Sequence, residues 1–114
     1  MATGDLPFSG STNGKPILLS GGNDTVHTAA AGVGTSDRWV LSVANSTGAA
    51  CTITVYNGAV AAGNVICDAF PLPANGSPIS FQGILNNGLL LICAASAANV
   101  ATAWGSVRRA PTGS

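Results

Sequence analysis

Apolar and polar residues alternate with a period of two along several short runs of the chain. Arg38-Trp39-Val40-Leu41-Ser42-Val43-Ala44 sets Trp39, Leu41 and Val43 on one face. Cys51-Thr52-Ile53-Thr54-Val55-Tyr56 sets Cys51, Ile53 and Val55 opposite Thr52, Thr54 and Tyr56. That period marks a strand with one buried face. A small polar loop separates the two runs, so they are expected to pair as an antiparallel hairpin. Further strands are predicted over 17–20, 25–29, 65–70, 78–82, 89–95 and 100–107. Leu89-Leu90-Leu91-Ile92-Cys93 is apolar on both faces, as in a central strand covered from both sides. No run of ten residues carries a helical stripe. The segment 94–103 comes nearest, because alanine favours helices. Yet Gly88, Asn99 and Gly105 flank or interrupt it, and Val100, Thr102 and Trp104 alternate with Ala101 and Ala103, so it too reads as strand.

Asn-Gly recurs at 13–14, 57–58, 75–76 and 87–88, and Asn45-Ser46-Thr47-Gly48 adds another turn-like cluster. Asn-Gly readily takes the two positive φ values of a type I′ turn. About eight short antiparallel strands at even spacing predict an all-β chain: one small β-sandwich with jelly-roll or immunoglobulin-like connections. The sandwich is expected over 17–109, preceded by an N-terminal arm (1–16) without a strand pattern and followed by a polar tail (110–114) that begins to look tail-like at Arg108. Both ends read as segments that order only against a neighbour.

Composition sharpens this picture. Leu, Ile, Val and Phe make up about a quarter of the 114 residues, above the range of roughly 20% below which chains stay disordered. A chain of this size supports one core and excludes a second. Only 7% of residues are charged, with no glutamate and a formal net charge of zero, where about 25% is usual. This excludes a basic nucleic-acid footprint and a polybasic membrane patch. It also suggests that much of the surface is covered by a partner or by copies of the chain. The start MATGDLPFSG has neither a positive beginning nor an apolar run of signal-peptide length, and the longest strongly apolar stretch is too short to span a bilayer. Cys51, Cys67 and Cys93 are odd in number and form no CxxC pair, so neither a disulfide framework nor a zinc site is indicated. Cys51 should point inward and Cys93 should lie in the most buried strand. Three Asn-x-Ser/Thr triplets, at Asn23, Asn45 and Asn75, read as turn chemistry rather than glycosylation.

Reactive chemistry is scarce. His27 lies three residues from Asp24, which on a regular strand puts the two on opposite faces. His27 therefore reads as an exposed or singly hydrogen-bonded strand histidine rather than a triad member. The glycines lack the context of a phosphate- or dinucleotide-binding loop, and four scattered aspartates make a poor glycosidase pair. Trp39 and Trp104 read as core or sheet-edge residues, since four basic side chains cannot track a nucleic-acid backbone. No catalytic, cofactor or metal residue is assigned, and no cofactor is expected.

The succession VLSVANSTGAACTITVYNG, then PLPANGSPISFQG, GLLLICAASAANV and GSVRR resembles a recurring pattern in small virion structural proteins of tailed bacteriophages. The likeness covers roughly residues 35–109. Its motifs are turns and alternating strands, and three cysteines with few acids depart from the pattern. The resemblance implies a non-enzymatic capsid decoration (cement) protein, made in the host cytoplasm and carried on the virion. It would form a homo-oligomer, expected to be a trimer, and bind the major capsid protein without nucleic acid or membrane. Leu6, Pro7, Phe8 and Ile17 of the arm, with Arg108 and Arg109, are the expected protein contacts, and removal of residues 1–14 is expected to leave the sandwich folded. A tail or neck protein is the nearest alternative. A small carbohydrate-binding β-sandwich, for instance one taking a host glycan, comes next, and a small hydrolase last.

Overall fold

The computed structural model describes residues 4–111 apart from Asn13, Val33 and Ser46. The first Asn-Gly turn and the end of the expected tail thus fall partly outside the described residues. Nine strands are found among those described: β1 (Gly4–Leu6), β2 (Ile17–Leu18), β3 (Asn23–Thr28), β4 (Thr35–Asn45), β5 (Cys51–Gly58), β6 (Val65–Leu72), β7 (Ile79–Asn86), β8 (Leu90–Ala95) and β9 (Ala101–Pro111). A single 3₁₀ turn, Ala62–Asn64, is the only helical element described. The strands form two sheets. One has the order β1-β9-β4-β7, with β2 also on β9, and the other has the order β3-β8-β5-β6.

All pairs are antiparallel, and they nest. β5 pairs β6, β4 pairs β7, β3 pairs β8, and β1 and β2 pair β9. A long hairpin folded over on itself in this way is a jelly roll, so of the two expected topologies it is the jelly roll that the chain adopts. The expected hairpin between Arg38–Ala44 and Cys51–Tyr56 is not formed. β4 pairs β7 and β9, while β5 pairs β6 and β8 in the opposite sheet. Their apolar faces meet across the sandwich instead, where Trp39, Leu41 and Val43 join Ile53 and Val55 in one buried cluster.

Asn45 builds the corner that sends the chain across. It is buried, its amide donates to the carbonyls of Ala49 and Leu72, and its Oδ1 accepts from the Thr47 N–H (2.9 Å) and hydroxyl (2.8 Å). The Asn45 triplet is therefore turn chemistry, as its sequence suggests. At Asn87-Gly88 both φ values are positive (58° and 71°), yet the turn links β7 to β8 across the two sheets. Asn57-Gly58 lies inside β5 rather than in a turn.

The ends depart from the expected arm and tail. β1 pairs β9 through Leu6↔Val107, and Phe8 is 2% exposed within the core. β9 continues through Arg108 and Arg109 to Pro111, pairing with β4 down to Thr35. Gly105 makes room for Phe8: a Cβ there would collide with the Val40 carbonyl and stand 2.9 Å from the Phe8 ring. β8 is central, between β3 and β5, but only its inner face is covered by the opposite sheet, and on the outer face Leu90 and Ala94 are half-buried. Leu91 and Cys93 are fully buried inward, and Ile92 is buried on the outer face, where the register sets it between Thr25 and Tyr56.

Candidate functional site

One polar cluster is buried between the sheets. It forms at the end of the sandwich where β4 begins and β9 finishes. Alternation along β4 carries the inner face of Trp39, Leu41 and Val43 back to Asp37, and alternation along β9 carries Ala101, Ala103 and Val107 on to Arg109. The register pairs Asp37 directly with Arg109. Arg109 grips the carboxylate with two donors, Nε to Oδ1 at 2.7 Å and Nη2 to Oδ2 at 2.8 Å. The Ala30 N–H adds a longer bond to Oδ2 at 3.3 Å.

His27 approaches from the other sheet. A β-bulge shifts the register of β3 between Thr25 and His27, so that Val26 and His27 are both buried although adjacent in sequence. The imidazole Nε2 lies 2.7 Å from Asp37 Oδ2, and Nδ1 accepts the Ser9 backbone N–H at 3.1 Å. An acceptor at Nδ1 places the ring proton on Nε2, where it is donated to Asp37. Phe8 covers the ring, with centroids 5.9 Å apart, and the Ser9 hydroxyl oxygen accepts the Thr28 N–H at 2.7 Å. Burial by itself would raise the Asp37 pKa. The hydrogen bonds from Arg109 and then His27, reinforced by the guanidinium charge, outweigh it and hold the carboxyl below its ordinary range. The same pairing raises the Arg109 pKa.

His27 is thus neither exposed nor singly bonded, and it does not meet Asp24. Asp24 instead accepts the Ser20 N–H and hydroxyl, both at 2.8 Å. With both imidazole nitrogens engaged and the side chain 2% exposed, the ring presents no free base to solvent. The cluster ties together four separate stretches: residues 8–9, β3, β4 and β9.

The six expected contact residues gather along the β9 side of the first sheet but divide between interior and surface. Phe8 and Arg109 are occupied internally, and Ile17 packs partly against the core. Leu6 and Pro7 are exposed, and Arg108 faces outward beside Arg38, its register partner. On that outer face a shallow groove of about 560 Å³ runs over Val40 and Ile84, flanked by Arg38, Arg108, Gln82 and Ser106.

Trp39 is a core residue, and its Nε1 donates to Asn57 Oδ1 at 3.1 Å. Trp104 lies half-buried on the outer face of β9. Cys51 and Cys93 point inward as expected, at 7% and 0% exposure. Burial raises all three thiol pKa values, Cys93 to about 12. Among the described residues no group of three or more His, Cys, Asp or Glu side chains could hold a metal ion, and no described helix is long and apolar enough to cross a membrane. No known protein family, characterised protein or solved structure matches the chain.

Proposed function

We propose that this chain is a non-enzymatic structural protein of a tailed-bacteriophage virion, a capsid decoration protein that attaches to the head shell and stabilises it as a homo-oligomer. The observation that carries the reading is the resemblance over residues 35–109. Its segments fall on strands and their turns: the first runs from the middle of β4 through the Asn45 corner and β5, the second from the end of β6 to the middle of β7, the third covers β8 with the turns on either side, and the fourth lies within β9. The topology is in keeping with the role, since jelly rolls recur in viral capsid proteins, although that is an analogy of fold alone. The polar cluster fits a scaffold better than a reaction centre, because its hydrogen bonds join chain segments and leave the imidazole closed. Low charge leaves a surface that meets copies of itself without repulsion. Attachment by several subunits at once adds weak contacts into firm binding.

The test mixes purified chain with heads assembled from a major capsid protein encoded in the same genome. Saturable co-sedimentation at a fixed ratio to capsid subunits, with shells that resist heating better than bare ones, is expected. A chain that stays in the supernatant at every ratio refutes the assignment.

A further inference from the structure

We infer that the free edge of β7 is a self-association surface, on which β7 of a second copy pairs antiparallel about a two-fold axis. The inference goes beyond the virion reading, which does not specify which strand makes contact.

The edges of the two sheets are treated unequally. β9 is covered by β1 and β2, both very short. β3 is capped by residues 9–10, through Gly10 N–H to Val26 carbonyl at 2.9 Å and the Thr28 N–H to Ser9 hydroxyl bond. β6 carries Asp68, a positive φ at Ala69 (48°), Pro71 and an irregular register. Charge, proline and irregularity are the devices that keep an edge from pairing. β7 has none of them. Its eight residues, ISFQGILN, include neither charge nor proline, and its pairing with β4 is regular from Ile79 to Asn86. Among the described residues the one hydrogen bond from outside β4 that reaches this strand's interior is a long one, Asn57 Nδ2 to the Ile84 carbonyl at 3.4 Å.

An antiparallel edge leaves the N–H and C=O of every second residue pointing away from its partner. Those groups specify another strand as the occupant. A second copy fits for two reasons. Two β7 strands bring no like charges together, whereas self-pairing of β6 would bring two copies of Asp68 close to one another. A two-fold contact also consumes both edges at once, so it closes instead of growing into a fibre. A register centred on Gln82 sets Ser80 against the copy's Ile84, keeping the exposed row of both strands on one face. On that face Gln82 meets the copy's Gln82, with the exposed Val40 one strand behind it in each copy, while Phe81, paired edge-on with Phe70 at 6.2 Å between centroids, lies on the opposite, inner face of β7. This predicts a two-fold dimer where the sequence leads to a trimer.

The experiment compares the full wild-type chain with Gln82→Lys, Ile84→Lys and, as a charge control away from the edge, Thr28→Lys, by light scattering over a dilution series. All three positions are exposed. Each variant is first checked for native circular dichroism. Wild type and Thr28→Lys are expected at twice the chain mass. Both β7 variants are expected to dimerise at least about tenfold more weakly. Amide exchange in β7 should be slower in concentrated wild-type protein than in dilute. A monomer at all concentrations overturns this inference and, with it, the oligomeric part of the virion reading. An oligomer that all three variants leave unchanged overturns this inference alone.

Discussion

Asp37 is the residue on which the buried cluster depends. It is fully buried and carries a charge held by Arg109 from one side and His27 from the other. Removing one partner of a buried pair costs more than the pair contributes, because the remaining charge is left without compensation. Arg109→Ala should therefore destabilise the fold by about 3–5 kcal/mol in urea titrations. Asp37→Asn should cost less, about 2–3 kcal/mol, because the Arg109 side chain is 31% exposed and water can take up its charge. The pH dependence has a definite sign. A carboxyl whose folded pKa is depressed below 3.8 stabilises the fold above that value, and the stabilisation is lost as pH falls below about 4 toward the folded value. Asp37→Asn should abolish this component of the acid limb. Arg109→Ala should shift acid unfolding to higher pH, since burial then raises the carboxyl pKa with less to oppose it. Acid titrations of the three proteins followed by tryptophan fluorescence measure both effects.

At the scale of elements, the N-terminal segment is part of the body. β1 extends the first sheet, Phe8 fills the space beside Gly105, and Ser9 closes His27. A detachable arm that leaves the sandwich intact is not compatible with that packing. Phe8→Ala should cost about 3–5 kcal/mol. Deleting residues 1–14 should lower the thermal midpoint strongly or prevent folding, as calorimetry on the two variants would record. A truncated protein as stable as the full chain would instead restore the independent arm. On the proposed reading, the surface left for a shell is that of the exposed Leu6, Pro7, Leu18 and Arg108 rather than Phe8. Gly83 illustrates the same dependence between elements. A Cβ at that position of β7 would sit 2.6 Å from the Trp39 ring, so the largest core side chain requires a glycine on the neighbouring strand.

For the whole molecule, the three thiols report three depths of opening. Cys67 is half-buried on edge strand β6, Cys51 is buried where β5 begins, and Cys93 is fully buried on central β8. Edges and strand ends open locally, whereas a central strand is exposed only by global unfolding. Alkylation of native protein, read by mass spectrometry of peptides, should modify Cys67 first, Cys51 more slowly and Cys93 last. The rate at Cys93 should track global stability, so Arg109→Ala and Phe8→Ala should both accelerate it. Equal rates at the three sites would contradict the two-sheet arrangement.

Much of this architecture is present in local pattern. The period of two identifies the strands, the inner faces of β4 and β5, and the inward Cys51, because alternation is a property of each strand's own backbone, and the apolar run identifies β8 as a central strand with Cys93 buried in it. Extending that alternation by one step at each end also leads to Asp37 and Arg109, a signal that the apolar runs alone obscure. Partner choice is different. An apolar face is satisfied equally by a hairpin neighbour or by the opposite sheet, so β4 and β5 could be recognised as strands without revealing that they face each other. The bulge that buries both Val26 and His27, the seating of Phe8 against Gly105, and the meeting of Asp37 with a residue 72 positions away arise only when all the strands are in place. These features depend on shape and charge brought together from distant parts of the chain, so only the tertiary structure decided them.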